Sequence, residues 1–450
     1  MTRTDLERDF IVLGAGVAGL AAASELGESC TVFEREDRPG GLVRTDCIDG
    51  YWFDRVLHLL HFQDDAMERR MRDLLGDALV RLSPEAWVET RHGTVRFPFQ
   101  LHLAGLAKDV RERCLSDFVV AASEHNDEQP RNFEEMLLRT FGREMCDVFL
   151  FPYNRKLWKR PLAALAPSGF QWNITRPDVE SVARGAASID ARAGAYNSNG
   201  WYPRPRADAP QRGMAVLSEA LAARVADLQL EHEVQVIDPV TRSVVVRHRG
   251  RDVRARYRQA CLATLPLSRL LSMVSGAPAD LVDACRRLHR NRVISVMVRV
   301  AGPRPSGQGL WRYYADESIV FTRLIFMHEF DPLSAPEHGW GLMAEITEPA
   351  EQPLADSRVV IRRVIEDIAR ARVLSPECGI VGATARVVDP AYVVFDLASA
   401  DVVAEALAFL RSCDVIAIGR YGKWEYSSMA QVMRDGFAWA ESVAAREKPA

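Results

Sequence analysis

The chain has 450 residues, with 57 basic and 61 acidic side chains and a net charge of −4. That length exceeds a single hydrophobic core, so two or three structural units are expected. The near balance of charge leaves no footprint for nucleic acid, and no apolar run is long enough to span a membrane. Eight scattered cysteines form no CxxC pair and follow no secretory signal, which points to free thiols and a cytoplasmic location. His58 and His61, near Asp54 and Asp64, match no metal-ligand spacing, and no metal is expected.

In chain order, Asp9 to Leu13 reads as a buried strand, Leu20 to Leu26 as a helix, and Cys30 to Phe33 as a second strand ending in Glu34. Between the first strand and the helix lie Gly14, Gly16 and Gly19 in GxGxxG spacing. In such a βαβ unit the first glycine makes the turn, the second lets backbone approach a pyrophosphate, and the third lets the helix pack on the sheet. The helix N-terminus then faces the phosphates, and Glu34 can accept from ribose hydroxyls. Just beyond, Arg38-Pro39-Gly40-Gly41-Leu42-Val43-Arg44-Thr45 resembles the extended FAD signature of amine-oxidase-like flavoproteins, with Arg44 placed to neutralise a phosphate.

From Asp64 to Ala187 the pattern is mainly helical, with 3.6 spacing over Met67–Leu75 and from Phe133 to Phe151, and a hairpin within Trp87–Phe99. A helix over Met214–Val225 precedes strands at Leu228–Asp238, Ser243–His248 and Val253–Arg258. A further strand, over 260–266, returns to the first unit. Arg292–Val300, Ser318–Met327 and Leu342–Thr347 alternate as antiparallel strands. A helix over Arg358–Ala371, a buried strand over Asp414–Ile418 and a helix over Met429–Ala444 close the chain.

The C-terminal stretch Gly419-Arg420-Tyr421-Gly422-Lys423-Trp424-Glu425-Tyr426-Ser427-Ser428-Met429 resembles the closing flavin motif of UDP-galactopyranose mutases and their amine-oxidase-like relatives. Pro152-Tyr153-Asn154-Arg155-Lys156-Leu157-Trp158, Phe321-Thr322-Arg323 and Phe97-Pro98-Phe99-Gln100 resemble three further segments of that family, in the same order. The resemblance implies FAD held non-covalently and active when reduced, with flavin N5 displacing a nucleoside diphosphate from a sugar that recloses in the other ring size. It assigns FAD, beyond the residues already named, to Ala18, Arg35, Gly41, Leu42 and Val234. In the closing motif it adds Gly419, Arg420, Tyr426, Ser428 and Met429. It makes His58, Arg323, Arg420 and Tyr426 the catalytic set, and Phe99, Tyr153, Trp158, Arg323 and Tyr426 the substrate contacts. Arginine forks and tyrosine hydroxyls are what a diphosphate leaving group requires.

The sequence departs from that family in three places. Val56 and Leu57 replace two glycines before His58, where glycine would permit φ > 0 beside the flavin. Glu348 stands where a tyrosine donor is usual, and a carboxylate there would repel a diphosphate. Arg204, Arg206 and Arg212 occupy an apparent insertion before Gly213.

The expected architecture is α/β: a discontinuous Rossmann-like FAD-binding domain (1–63, 213–290, 386–450) with a helical cap (64–212) and an antiparallel sheet layer (291–385). The expected function is conversion of a nucleotide-linked sugar. The alternatives are an FAD oxidase or desaturase of the protoporphyrinogen-oxidase or amine-oxidase kind, and a flavin-binding scaffold without chemistry. The expected partner is a small molecule, a nucleotide sugar; no nucleic acid or membrane is expected, and a homodimer is left open.

Overall fold

The computed structural model describes residues 6–62, 64–124, 128–168, 176–191 and 199–446. Gln63, at the expected first boundary, lies outside the described residues. β1 (Leu6–Leu13) ends in four buried residues, and α1 (Val17–Leu26) buries every residue from Val17 to Ala23. A helix that is small and apolar on all sides belongs inside a fold. β2 (Cys30–Phe33) returns parallel to β1, and β3 (Thr45–Ile48) and β4 (Tyr51–Asp54) form a short antiparallel pair.

α2 (Asp65–Leu75) opens the insertion, and the Asp64 carboxylate caps it by accepting from the Met67 amide. Then come β5 (Leu79–Leu82), the hairpin β6 (Ala86–Thr90) and β7 (Gly93–Arg96), α3 (Lys108–Ser123) and α4 (Phe133–Met145). The spacing from Phe133 to Phe151 is not one continuous helix. Gly142 takes φ +75° against Asp117, Cys146–Leu150 widens into a π turn, and α5 (Phe151–Trp158) continues from it. α6 (Val179–Ala187) and β8 (Gly200–Pro203) follow, β8 pairing with β5.

α7 (Ala215–Ala222) leads to β9 (Leu228–Gln229), β10 (His232–Asp238), β11 (Ser243–His248) and β12 (Arg251–Ala263). The strands expected at Val253–Arg258 and 260–266 are one strand, β12, which ends at Ala263 and is long enough to pair β11 with its first half and β18 with its end. The order continues α8 (Leu267–Leu270), α9 (Ala279–Arg286), β13 (Arg290–Ala301), β14 (Trp311–Tyr314), β15 (Arg323–Phe326) and α10 (Met327–Phe330). After these come β16 (Gly339–Pro349), α11 (Ser357–Arg370), β17 (Gly379–Val393), α12 (Ser399–Ser412), β18 (Val415–Ala417), α13 (Gly419–Gly422) and α14 (Met429–Arg446). Of the strand expected over Ser318–Met327 only β15 forms. The buried Lys156 ammonium donates to the carbonyls of Tyr314, Asp316 and Phe321 at 2.7–2.9 Å, which gathers the preceding residues into a loop.

Two seven-stranded sheets organise the molecule. The first has the order β10-β11-β12-β1-β2-β9, with β18 also on β12. Its β9, β2, β1, β12 and β18 run parallel, so the first, middle and last parts of the chain share one Rossmann-like sheet. The second has the order β17-β13-β16-β15-β14-β6-β7 and is antiparallel except between β14 and β6. It draws β6 and β7 from the insertion, and β17 crosses position 385. α1 lies between the first sheet and α14, where a Cβ on Gly436 would meet the Ala18 carbonyl oxygen at 2.3 Å.

Candidate functional site

One cavity of about 640 Å³ lies between the C-terminal ends of β1 and β2 and the inner face of the second sheet. That is the size of a cofactor or substrate site. Its two ends are built differently.

The first end is backbone and small residues. Gly14 has φ +98°, and a Cβ there would lie 2.4 Å from Thr264 Oγ1. Gly16 caps α1, and the space where its Cβ would sit is open. Gly19 does not line the cavity; its Cβ would meet the Gly14 carbonyl oxygen at 2.2 Å, so it serves the packing of α1. Gly40 and Gly41 have φ of +113° and +59°, and the Gly40 amide donates to the Ala15 carbonyl at 2.8 Å, laying the second glycine turn on the first. The Glu34 carboxylate accepts from the amides of Ala15 (2.8 Å) and Glu36 (2.9 Å) and lines the cavity at the end of β2. Ala18, Arg35, Leu42 and Val234 line this region too. Gly419, φ +73°, packs against Ala18, and Ser428 and Gln431 cap the start of α14 reciprocally, with Ser428 and Met429 on the cavity wall.

The other end is a chamber of side chains. Arg323 and Glu345 face each other across β15 and β16, with Arg323 Nε donating to Glu345 Oε2 at 2.5 Å. Glu345 is 2% exposed, and its Oε1 accepts from the Leu57 amide at 3.0 Å. Burial works against the Arg323 charge, but the Glu345 carboxylate and the hydroxyls of Tyr392 and Tyr313 outweigh it and raise its pKa well above the usual range. Arg420 lies 4.2 Å above the Tyr426 ring and 5.4 Å from Tyr392, a cation–π arrangement. Its Nε and Nη2 are buried without a hydrogen-bond partner in the protein. Tyr392 and Tyr426 stack at 6.0 Å, and Trp311 and Tyr313 complete the wall. His58 stands among these cations; burial, then Arg420 and Arg323, push its pKa down to about 4, so it is neutral at pH 7.

Val56 and Leu57 line the cavity with ordinary negative φ: neither is among the positive-φ residues. The turn that glycines would make is thus rebuilt. Arg55 accepts through its carbonyl from Ser295 Oγ at 2.9 Å, and Leu57 is held by Glu345. Ser295, Glu345 and Arg323 are register partners across β13, β16 and β15, so one row of the sheet anchors the whole segment.

Other expected site residues lie elsewhere. Arg44 does not line the cavity; its guanidinium is paired with Asp37 at 3.1 Å and Glu36 at 3.6 Å, so its charge is already compensated. Phe99 is fully buried and stacked on Phe149, which stacks on Tyr153. Tyr153 in turn stands behind Tyr313 at 5.4 Å. Trp158 donates from Nε1 to Asn154 at 3.0 Å and packs edge-on to Tyr392 and Tyr426. These three form a second layer that supports the chamber wall rather than the wall itself. Glu348 turns to Arg292 (3.3 Å) and is absent from the lining. Arg212 is buried against Asp331 (2.7 Å), Arg204 donates to backbone carbonyls at 329 and 330, and Arg206 pairs with Asp208 on the surface. None of the three reaches the cavity. The sequence reading missed Trp311, Tyr313, Tyr392 and the buried Glu345. For Glu345 a signal was present: a carboxylate inside the apolar run Leu342 to Ile346, where a buried charge requires a partner.

A glycine cradle at a helix N-terminus and an acid at the end of β2 fit FAD. A family model for flavin containing amine oxidoreductases matches residues 17–373. The chain belongs to that family. FAD is the cofactor of this flavoenzyme. Its fold is similar to that of a reduced UDP-galactopyranose mutase, with a TM-score of 0.87 at 23% identity over 98% of this chain and 94% of that one. A protein assigned as a protoporphyrinogen oxidase from Exiguobacterium sp. 255-15 gives 0.71 at 14% identity over 99% and 100%. Wild-type putrescine oxidase bound to putrescine gives 0.59 at 19% over 98% and 100%. The suspected superfamily and the α/β fold read from the sequence are therefore correct. No helix among the described residues is long and apolar enough to cross a membrane.

Proposed function

We propose that this flavoenzyme converts a nucleotide-linked sugar by redox-neutral chemistry. The observation that carries the reading is the convergence of Arg323 and Arg420 on one chamber walled by Tyr313, Tyr392 and Tyr426. FAD supplies a nucleophilic nitrogen when reduced and a hydride acceptor when oxidised. The protein's part is to bind, orient and exclude water. Arg323 is anchored through Nε to Glu345 and lies beside Tyr313, so the guanidinium and the phenol together would hold an oxyanion. Arg420 is fixed by its aromatic neighbours and brings unpaired donors to the same chamber. Burial raises the pKa of Tyr313, so its hydroxyl stays protonated and serves as a donor. Neutral His58 can accept or donate a hydrogen bond without adding charge. Cys30, Cys114 and the other cysteines are all unpaired, which supports a reducing compartment such as the cytoplasm.

The test is incubation of the dithionite-reduced protein with UDP-galactopyranose and with dTDP- and GDP-sugars. A furanose product from one of them is expected. No product, and no change in the flavin spectrum with any, would sink the proposal. One observation favours a second reading, an oxidase or desaturase acting on a less charged substrate: Glu345 already compensates Arg323. On that reading the substrate bleaches the flavin under anaerobic conditions.

A further inference from the structure

We infer that Glu345 is a specificity-determining residue that sets the charge of the substrate chamber, holding it to one uncompensated cation and so limiting how strongly it takes up anions. This goes beyond the proposed function and stands for either reading of the reaction, because it concerns the chamber's charge and not the fate of the substrate.

Four groups decide that charge; Arg55 and Arg290 also line the cavity, but Arg55 Nη1 donates to the Gly41 carbonyl at 3.3 Å on the glycine side, and Arg290 is paired with Asp389 at 2.9 Å. Arg323, Glu345, Arg420 and His58 all line the chamber end of the cavity. Arg323 and Glu345 are direct cross-strand partners, with the guanidinium and carboxylate in contact, so their charges cancel at short range. His58 is crowded by two guanidinium groups, an arrangement that opposes any further positive charge. Arg420 faces aromatic rings and, among the described residues, has no carboxylate within ion-pair distance. The sum is close to a single positive charge.

The compensation is built into the fold. Glu345 sits mid-strand on β16 and is 2% exposed. Both its oxygens are committed, one to Arg323 and one to the Leu57 amide. The second bond ties the same carboxylate to the segment in which Val56 and Leu57 stand beside His58. The charge partner of the substrate cation is therefore also the anchor of the neighbouring loop. An incoming oxyanion must share Arg323 with a carboxylate already in place.

The experiment uses the FAD-loaded protein, so that the cofactor's own diphosphate site is filled. Inorganic pyrophosphate and UDP are titrated at two salt concentrations, and binding is read from the flavin difference spectrum; the flavin midpoint potential is measured alongside. Glu345→Gln should bind pyrophosphate about tenfold more tightly at low salt, with the gain shrinking at high salt, and should shift the potential to a more positive value. Glu345→Asp keeps the charge and should show neither change. A gain of affinity cannot come from a protein that has merely loosened. Should Glu345→Gln fail to keep FAD, the pair is removed together. Arg323→Gln alone leaves a lone carboxylate and should weaken pyrophosphate binding by more than tenfold, and adding Glu345→Gln should restore most of that loss. Equal or weaker binding by FAD-loaded Glu345→Gln, or equal loss in the single and double variants, would overturn the inference. Failure of the sugar turnover test would leave these titrations unaffected.

Discussion

The two ends of the cavity obey different rules. At the cofactor end, the rule is what is absent: a Cβ on Gly14 would meet Thr264 Oγ1 and one on Gly41 the Gly16 backbone, both at positive φ, while beside Gly16 the space is open. At the chamber end it is a matter of what is paired: Arg323 with Glu345, Glu345 with Leu57, Arg420 with three aromatic rings. The first end comes largely from a continuous stretch of sequence, the second from six separated strands and turns. A steric rule tolerates few substitutions and is specific to geometry. A pairing rule tolerates many substitutions provided both partners change together.

The largest expected effect tests the pairing rule. Arg323→Met strands the Glu345 carboxylate in a site 2% exposed, and breaking a buried ion pair from one side costs about 3–5 kcal/mol. Denaturant unfolding of the single variant should show that loss, and the double variant with Glu345→Met should recover most of it. A single variant as stable as the wild type would mean that the pair is solvated and that the two ends do not differ in this way. Next comes the steric rule. Gly14→Val places a β-branched residue at φ +98° with its Cβ against Thr264. Strain of this kind costs about 1–3 kcal/mol before the clash is counted, and purified protein should come out without FAD. No second substitution nearby should rescue it, in contrast to the Arg323 case.

The same contrast explains what could be read from the sequence. The GxGxxG turn, the acid at Glu34 and the Gly40–Gly41 pair announce themselves because their spacing is fixed by local backbone geometry. Arg323 and Arg420 were legible through motifs. Their surroundings were not, because Glu345 reaches Arg323 only through the β15–β16 register, which no local pattern encodes. Arg44 misled for a related reason: its neighbours Glu36 and Asp37 were adjacent in sequence, yet the turn that folds them onto its guanidinium is set by the two glycines between. β17 escaped notice because Gly379 to Ala385 is small and weakly alternating; it is a strand because β13 offers it a long edge. Trp158 and Tyr153 sit one layer further out than a helix-end motif can specify.

A pH experiment sharpens the comparison from the chamber side. His58 is held neutral in the folded protein, with its pKa pushed down to about 4, whereas in the unfolded chain it takes a proton near its ordinary value of 6.5. The unfolded state therefore binds more protons in this window. Stability is full above about pH 6.5 and falls as the pH drops towards 4, by at most about 3 kcal/mol. His58→Asn should flatten that part of the pH–stability curve. An unchanged slope would mean that the imidazole reaches water and does not feel the two arginines. No comparable slope is expected from the glycine turns of the cofactor end, which carry no titratable side chain.

The smallest effect comes from a residue of the cofactor end that works by pairing. Glu34 accepts from two backbone amides, Ala15 in the first glycine turn and Glu36 in the turn after β2. Glu34→Gln keeps the shape but leaves only one acceptor oxygen, so one of those amides loses its partner, at a cost of about 1–3 kcal/mol shared between stability and FAD retention. FAD should be held roughly tenfold more weakly, measured by equilibrium dialysis of the loaded protein. The fold itself should persist, because Gly14, Gly16 and Gly40 still set the turns. If FAD affinity were unmoved, the carboxylate would be only a brace for the Ala15 and Glu36 amides, and the cofactor end would be steric throughout. If it fell as expected, even the steric end depends on one charge, placed where the glycines leave room for a ribose to reach it.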